Sequence, residues 1–195
     1  MAEIARRHFL RSIEVKEAVA ENCTADIARA AEILIDCLKS GGKILLCGNG
    51  GSAADCQHIA AEFTSVLTQE FVRPALAAIA LTTDTSFITA NANDFGFEGI
   101  FERQVQALGR RGDAVIGIST SGNSKNVVCA LQYARENGIK TLALTGANGG
   151  QLANIADAAV KIPSDNTQFI QEAHIAVGHI LCALTELCLF DRQPL

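Results

Sequence analysis

Residues 114–124 read AVIGISTSGNS, and residues 43–52 read KILLCGNGGS. Each is a short, continuous apolar run that breaks abruptly into glycines and small polar residues. Near-continuous apolar character, in place of alternation, is what a strand covered on both faces requires. Three further runs share it: residues 77–81 (AAIAL), 141–145 (TLALT) and 159–162 (AVKI). Helical stretches fall between them, at 52–68, 97–108, 123–137 and, more briefly, 151–155. The repeated order of strand, loop and helix calls for right-handed crossovers, so the chain reads as α/β with a doubly wound five-stranded parallel sheet.

Outward from that frame, two helices precede the first strand, at 3–20 and 25–39, and Gly41-Gly42 stops the second. A last helix of about residues 167–190 follows Pro163-Ser164 and is apolar round much of its circumference. That exceeds what a surface helix needs, and it implies packing on two sides, against the sheet and against another subunit. No internal repeat, low-complexity tract or linker interrupts the chain, so residues 1–195 read as one domain, with residues 1–40 a helical pair used in oligomerisation.

The 195 residues suffice for a substantial core. A hydrophobic share of 49% against 19% charged is globular, and the net charge of −5 argues against a nucleic-acid groove, which wants clustered Lys and Arg. A single phosphate needs only a local nest of donors. The first eleven residues are charged and hold no apolar run of signal-peptide length, and no 18 apolar residues stand in a row, so neither a leader nor a membrane span is expected. Seven cysteines, with no CxxC spacing and apolar neighbours, read as buried free thiols of a reducing, cytoplasmic protein.

In open α/β sheets, ligands bind beyond the carboxyl ends of the strands. Three such ends are rich in small polar residues: Gly48-Asn49-Gly50-Gly51-Ser52, Ser119-Thr120-Ser121-Gly122-Asn123-Ser124, and Thr145-Gly146-Ala147-Asn148-Gly149-Gly150. Glycines admit close backbone approach, helix N-termini offer unpaired N–H groups, and hydroxyls donate to phosphate without a basic residue. The plainer alternative is that Ser52 and Asn123 cap helices and the glycines make turns. Two such loops in one small sheet favour an anion site, with Asn49, Gly50, Gly51, Ser52, Ser119, Thr120, Ser121 and Ser124 as its residues. A rival reading takes Gly48-x-Gly50-x-x-Ala53 as a dinucleotide fingerprint. Its acidic partner, Asp84, would lie more than 30 residues on, and the second loop would go unexplained.

The motifs CGNGGS (47–52), NDFGF (93–97), ISTSGNS (118–124), LTG (144–146) and IQE (170–172) together resemble those of the phosphoheptose isomerases, within the sugar isomerase (SIS) superfamily. The resemblance covers nearly the whole chain and implies a SIS-type, flavodoxin-like fold and a homotetramer with active sites between subunits. It implies conversion of D-sedoheptulose 7-phosphate to D-glycero-D-manno-heptose 7-phosphate, toward heptose for lipopolysaccharide or other surface glycans. It also implies one zinc per subunit, with His58, Glu62, Gln171 and His179 as ligands, and Gln171 among the substrate contacts. Glu62 and His179 are then the general base and acid of an aldose–ketose isomerisation, which moves protons between adjacent carbons and between their oxygens.

His58 and Glu62 are four apart, on one helix face. Without the resemblance they are an ordinary surface pair. Gln171 and His179 are eight apart, about 12 Å along a helix and some 80° round it, so they reach one metal only tip to tip or from different chains. Asn93 and Asp94 in the NDFGF turn are partners for sugar hydroxyls or simple turn formers. Asp55 stands near them in interest; His174 reads as packing and His8 as solvent-facing. The chain departs from the family pattern in lacking an Arg within 63–69 and in carrying Gln168-Phe169 where the family has a charged pair. The alternative is a non-catalytic SIS tetramer that binds a replication initiator or senses a sugar phosphate; such relatives lose the helix Glu that stands here as Glu62.

Overall fold

The computed structural model describes residues 1–190; residues 191–195, the tail of the expected 1–195 domain, lie outside the described residues. Two helices, α1 (Ala2–Asn22) and α2 (Thr24–Lys39), lead into five strands: β1 (Ile44–Gly48), β2 (Ala78–Ala80), β3 (Ala114–Ser119), β4 (Lys140–Gly146) and β5 (Ala158–Ile162). The strands are parallel throughout, in the order β2-β1-β3-β4-β5. The connecting helices are α3 (Gly51–Thr64), α4 (Thr85–Phe95), α5 (Ile100–Leu108), α6 (Lys125–Glu136) and α7 (Gly150–Ile155), and α8 (Thr167–Phe190) closes the described chain.

Strand alternation divides the core between the two faces of this sheet. Ile44, Leu46, Ile116, Ile118, Leu142 and Leu144 point to one side, where α2, α3 and α8 bury Leu34, Phe63, Val177 and Leu181 against them. Leu45, Cys47, Val115 and Ala143 point to the other, against Phe101, Val105, Val127 and Leu131 of α5 and α6. Both faces are therefore covered, which is why the runs read as continuously apolar. β1 is buried at every residue.

By length and composition α8 could cross a membrane. Here it packs on α2 and α3, with Ile170, Val177 and Leu181 in the core. The chain order reverses between β1 and β3, and the loops after those two strands flank the resulting switch point, the usual place for a ligand in such sheets.

Most element ends differ from the expected ones by one to three residues, and three departures are larger. α3 stops at Thr64, not 68, and the 97–108 segment is a 3₁₀ turn (Phe97–Gly99) followed by α5. The NDFGF segment is no simple turn: residues 93–95 are the last turn of α4. That helix fully buries no residue, and only the half-buried Ile88 and Ala92 touch the core, so its apolar periodicity is faint. Its one local signal is Asp84, whose Oδ1 accepts from Phe87 N–H at 2.9 Å as an N-cap.

Candidate active site

The loop after β3 is a compact hydroxyl cluster. Ser119 Oγ lies 2.9 Å from Ser124 Oγ and 3.3 Å from Ser121 Oγ, and Asn123 N–H donates to Ser121 Oγ at 3.2 Å. Neighbouring backbone stitches it to the β4 loop: Gly146 N–H donates to Thr120 O at 2.9 Å, and Leu152 N–H to Gly122 O at 3.0 Å. Gly122 has φ +66°, and a Cβ there would stand 2.1 Å from the Gly149 carbonyl oxygen, so only glycine closes this turn. Beside it a cavity of about 190 Å³ is lined by Thr120, Ser121, Gly146, Asn148, Asp165 and Thr167, among others, and, among the described residues, by no lysine or arginine. Larger cavities, of about 440 and 330 Å³, lie along α4 and α5, lined in part by Phe87, Arg103 and Phe95. They touch none of the loop hydroxyls.

The β1 loop joins the same end of the sheet. Asn49 and Asn126 exchange two amide hydrogen bonds, both 2.9 Å, tying it to the start of α6. This amide pairing occupies Asn49, and Asn126 is a buried residue that the sequence reading passed over. Ser52 is buried in the first turn of α3. A Cβ on Gly51 would meet the Gln171 amide at 2.7–2.9 Å, so Gln171 lies flat on that helix start. Its amide therefore sits about two turns along α3 from His58.

The second half of the site is made where α3 meets α8. His58 Nε2 is 3.0 Å from Glu62 Oε1, and His179 Nε2 is 3.3 Å from both that oxygen and His58 Nε2. Two imidazoles from different helices thus converge on one carboxylate oxygen. Glu62 is the most enclosed of the three, its side chain 13% exposed against 54% for His58 and 45% for His179. Glu62 Oε2 is buried without a conventional partner. Beside it stands the Cys182 thiol, pushed up first by burial and then by the Glu62 charge. One turn before His58, the Asp55 carboxyl is raised by burial, an effect His58 opposes.

Asn93 and Asp94 are bonded to each other at 2.9 Å on exposed α4. They line neither the loop cavity nor the triad. His8 departs from its expected solvent-facing place: its Nε2 is 2.8 Å from Glu172 Oε1, and Ser12 and Lys16 join the same carboxylate, fastening α1 to α8. His174 is buried, as expected of packing, with Nε2 3.1 Å from the Thr145 carbonyl oxygen.

This arrangement has relatives. The SIS domain family matches residues 8–146. Phosphoheptose isomerase from Aneurinibacillus thermoaerophilus is 50% identical, covering 99% of this chain and 98% of its own; that from Roseiflexus sp. (strain RS-1) is 53% identical over 93% and 91%. The chain belongs to the phosphoheptose isomerase family of SIS domain proteins. The structure of phosphoheptose isomerase from Neisseria gonorrhoeae superposes with a TM-score of 0.89 at 45% identity, over 95% of this SIS domain chain and 98% of its own.

A metal fits the triad of this family member. Three donor atoms 3.0, 3.3 and 3.3 Å apart match one face of a tetrahedron whose bonds are about 2.05 Å, the zinc–imidazole length. The donor set of two imidazoles and a carboxylate suits zinc, with Glu62 Oε1 facing both imidazoles and Oε2 left to the neutral Cys182 thiol. Three protein ligands leave a fourth position open, as catalytic sites do.

Proposed function

We propose that this chain is an aldose–ketose isomerase converting D-sedoheptulose 7-phosphate to D-glycero-D-manno-heptose 7-phosphate, toward heptose for lipopolysaccharide or related surface glycans. The observation that carries it is the Glu62 carboxylate set between two imidazoles at the α3–α8 junction, on helices whose N-terminal turns meet the loop cradle.

The reaction moves one proton from C1 to C2 and another from O1 to O2. Glu62 is the base that takes the C1 proton and returns it to C2; His179, 3.3 Å from it, moves the oxygen proton. The hydroxyls of Ser119, Ser121 and Ser124, with the N–H groups opening α3 and α6, hold the phosphate away from the reacting carbons. Asn49 and Asn126 brace the two loops; Thr120, Gly50, Gly51 and Ser52 complete the cradle. Gln171, from its seat on Gly51, orients the sugar between cradle and triad. One zinc per subunit would be held by His58, Glu62 and His179 and would polarise the sugar oxygens, with Gln171, the expected fourth ligand, seated about two turns of α3 away on Gly51. Glu62 and His179 move protons only when detached from the ion or through a bound water.

The working form is a cytoplasmic homotetramer with sites between subunits. Its support is the surface: α4 buries nothing of its own, Phe95 stands 82% exposed beside Asn93 and Asp94, and α1 exposes Ile4, Phe9 and Ile13. A second copy would cover these faces and bring the amide and carboxyl of α4 to a neighbour's sugar. All seven cysteines are free, which suits a reducing compartment.

The test is incubation of the protein with sedoheptulose 7-phosphate, with and without added zinc, following aldose formation by NMR. Wild type turns over, and Glu62→Gln lowers kcat by about 10²–10⁴-fold while leaving the assembly intact. Absence of turnover with intact sugar-phosphate binding would instead mark a binding module.

A further inference from the structure

Outside the triad, two charged side chains among the described residues are sealed from solvent: Arg73 at 1% and Glu186 at 0% exposure. Arg73 Nε donates to Glu186 Oε1 at 2.9 Å. The rest of the guanidinium is directed at the end of α3. Nη2 donates to the Glu62 carbonyl at 2.8 Å; Nη1 donates to Phe63 O at 2.8 Å, with Pro74 O at 3.1 Å and Ser65 O at 3.2 Å also in reach. Residues 62 and 63 belong to the last turn of α3, whose carbonyls have no partner within the helix. A buried cation there satisfies the Glu62 carbonyl, shares that of Phe63 with the Leu76 N–H at 3.0 Å, and opposes the negative end of the helix dipole.

A buried ion pair is by itself weak grounds for stability, because desolvation can cancel its attraction. Its placement gives it another use. Glu186 follows His179 by seven residues on α8, two turns along the same face. A single side chain, Arg73, therefore joins the backbone of Glu62 to the helix face that carries His179.

We propose that Arg73, seated on Glu186, is a positioning residue that holds the last turn of α3 so that Glu62 Oε1 stays between the Nε2 atoms of His58 and His179. The proposal rests on reading that triad as the metal-holding, proton-transferring centre. When the fork is lost, the final turn frays and Glu62 is the group released; His58, one turn earlier, keeps its place. Lysine cannot substitute, since a single ammonium does not reproduce the planar fork that reaches several acceptors.

The test uses the full-length protein and the double variant Arg73→Met/Glu186→Leu, a swap of the kind that buried pairs tolerate without loss of fold. Three readouts are taken: hydrogen exchange of peptides spanning residues 58–67, titration with Co²⁺ as the metal probe, and kcat and KM for sedoheptulose 7-phosphate. Faster exchange confined to that segment is expected, with Co²⁺ affinity and kcat each about 10–100-fold lower and KM within about twofold. Arg73→Lys behaves the same way, and it decides by the same readouts if the double variant does not fold. A folded variant with wild-type exchange, Co²⁺ affinity and kcat overturns the proposal. If wild type neither turns over nor binds Co²⁺, the catalytic reading fails by itself. Exchange at 58–67 then judges Arg73 alone, and unchanged exchange overturns its positioning role.

Discussion

His174 is the group on which acid should act most selectively. It is fully buried in α8; its Nε2–H donates to the Thr145 carbonyl at the end of β4, and Nδ1 has no partner. Burial lowers its pKa from 6.5 to about 4, outweighing the Thr145 bond, which acts the other way. The unfolded chain therefore binds this proton through a range in which the folded one refuses it. Stability is complete above about pH 6.5 and is lost as pH falls from there toward 4. Each pH unit inside that window is worth about 1.4 kcal/mol, so the loss between pH 7 and 4.5 is about 2.5 kcal/mol. Urea unfolding of wild type and His174→Gln, at one fixed protein concentration so that any self-association is held constant, isolates the effect. Carboxylates common to both proteins cancel in the difference. Wild type should lose about 2.5 kcal/mol more than the variant over that range. Parallel pH profiles would refute the assignment of a buried neutral imidazole.

Ser121→Ala removes a hydroxyl that bonds Ser119 and the Asn123 N–H. It should raise KM about tenfold or more with kcat little changed, because that hydroxyl serves ground and transition states alike; steady-state kinetics with an unaltered KM would remove Ser121 from the cradle. Gly122→Ala forces a side chain onto φ +66° and into the Gly149 carbonyl. It should cost more than about 1 kcal/mol of stability and weaken phosphate binding with it, and a wild-type thermal melt would show the turn to be tolerant.

Much of this architecture could be read from the chain because its strands are covered on both faces. Continuous runs such as residues 114–119 announce themselves, and their burial is complete in the fold. The glycine- and hydroxyl-rich loops were legible for a related reason, since their residue types are set by local backbone geometry. What was not legible depends on distant contacts. α4 buries no residue fully and meets its own core only through the half-buried Ile88 and Ala92, so its periodicity is faint. The lesson of Arg73 is similar: an arginine in a stretch of mixed character gives no hint that it will be turned inward onto α3. The pairing of His58 with Glu62 followed from i,i+4 spacing, but the arrival of His179 from 121 residues away required the fold. Gln171 is the converse case, its resting place on Gly51 set by packing that spacing alone does not reveal.

Among the described residues no basic side chain lines the cavity beside Ser121, and its one charged lining group is Asp165. An anion lodged there is recognised by where its lone pairs point and hardly at all by its charge. Such a grip changes less with ionic strength than one built on lysine or arginine, since no cationic side chain lines it for salt to screen. It also discriminates tetrahedral oxyanions from flat ones, and it lets a molecule leave as readily as it came. For a conversion in which the departing compound bears the same phosphate as the arriving one, that indifference is an asset: a lysine in its place would hold both, and slow the exchange of one for the other.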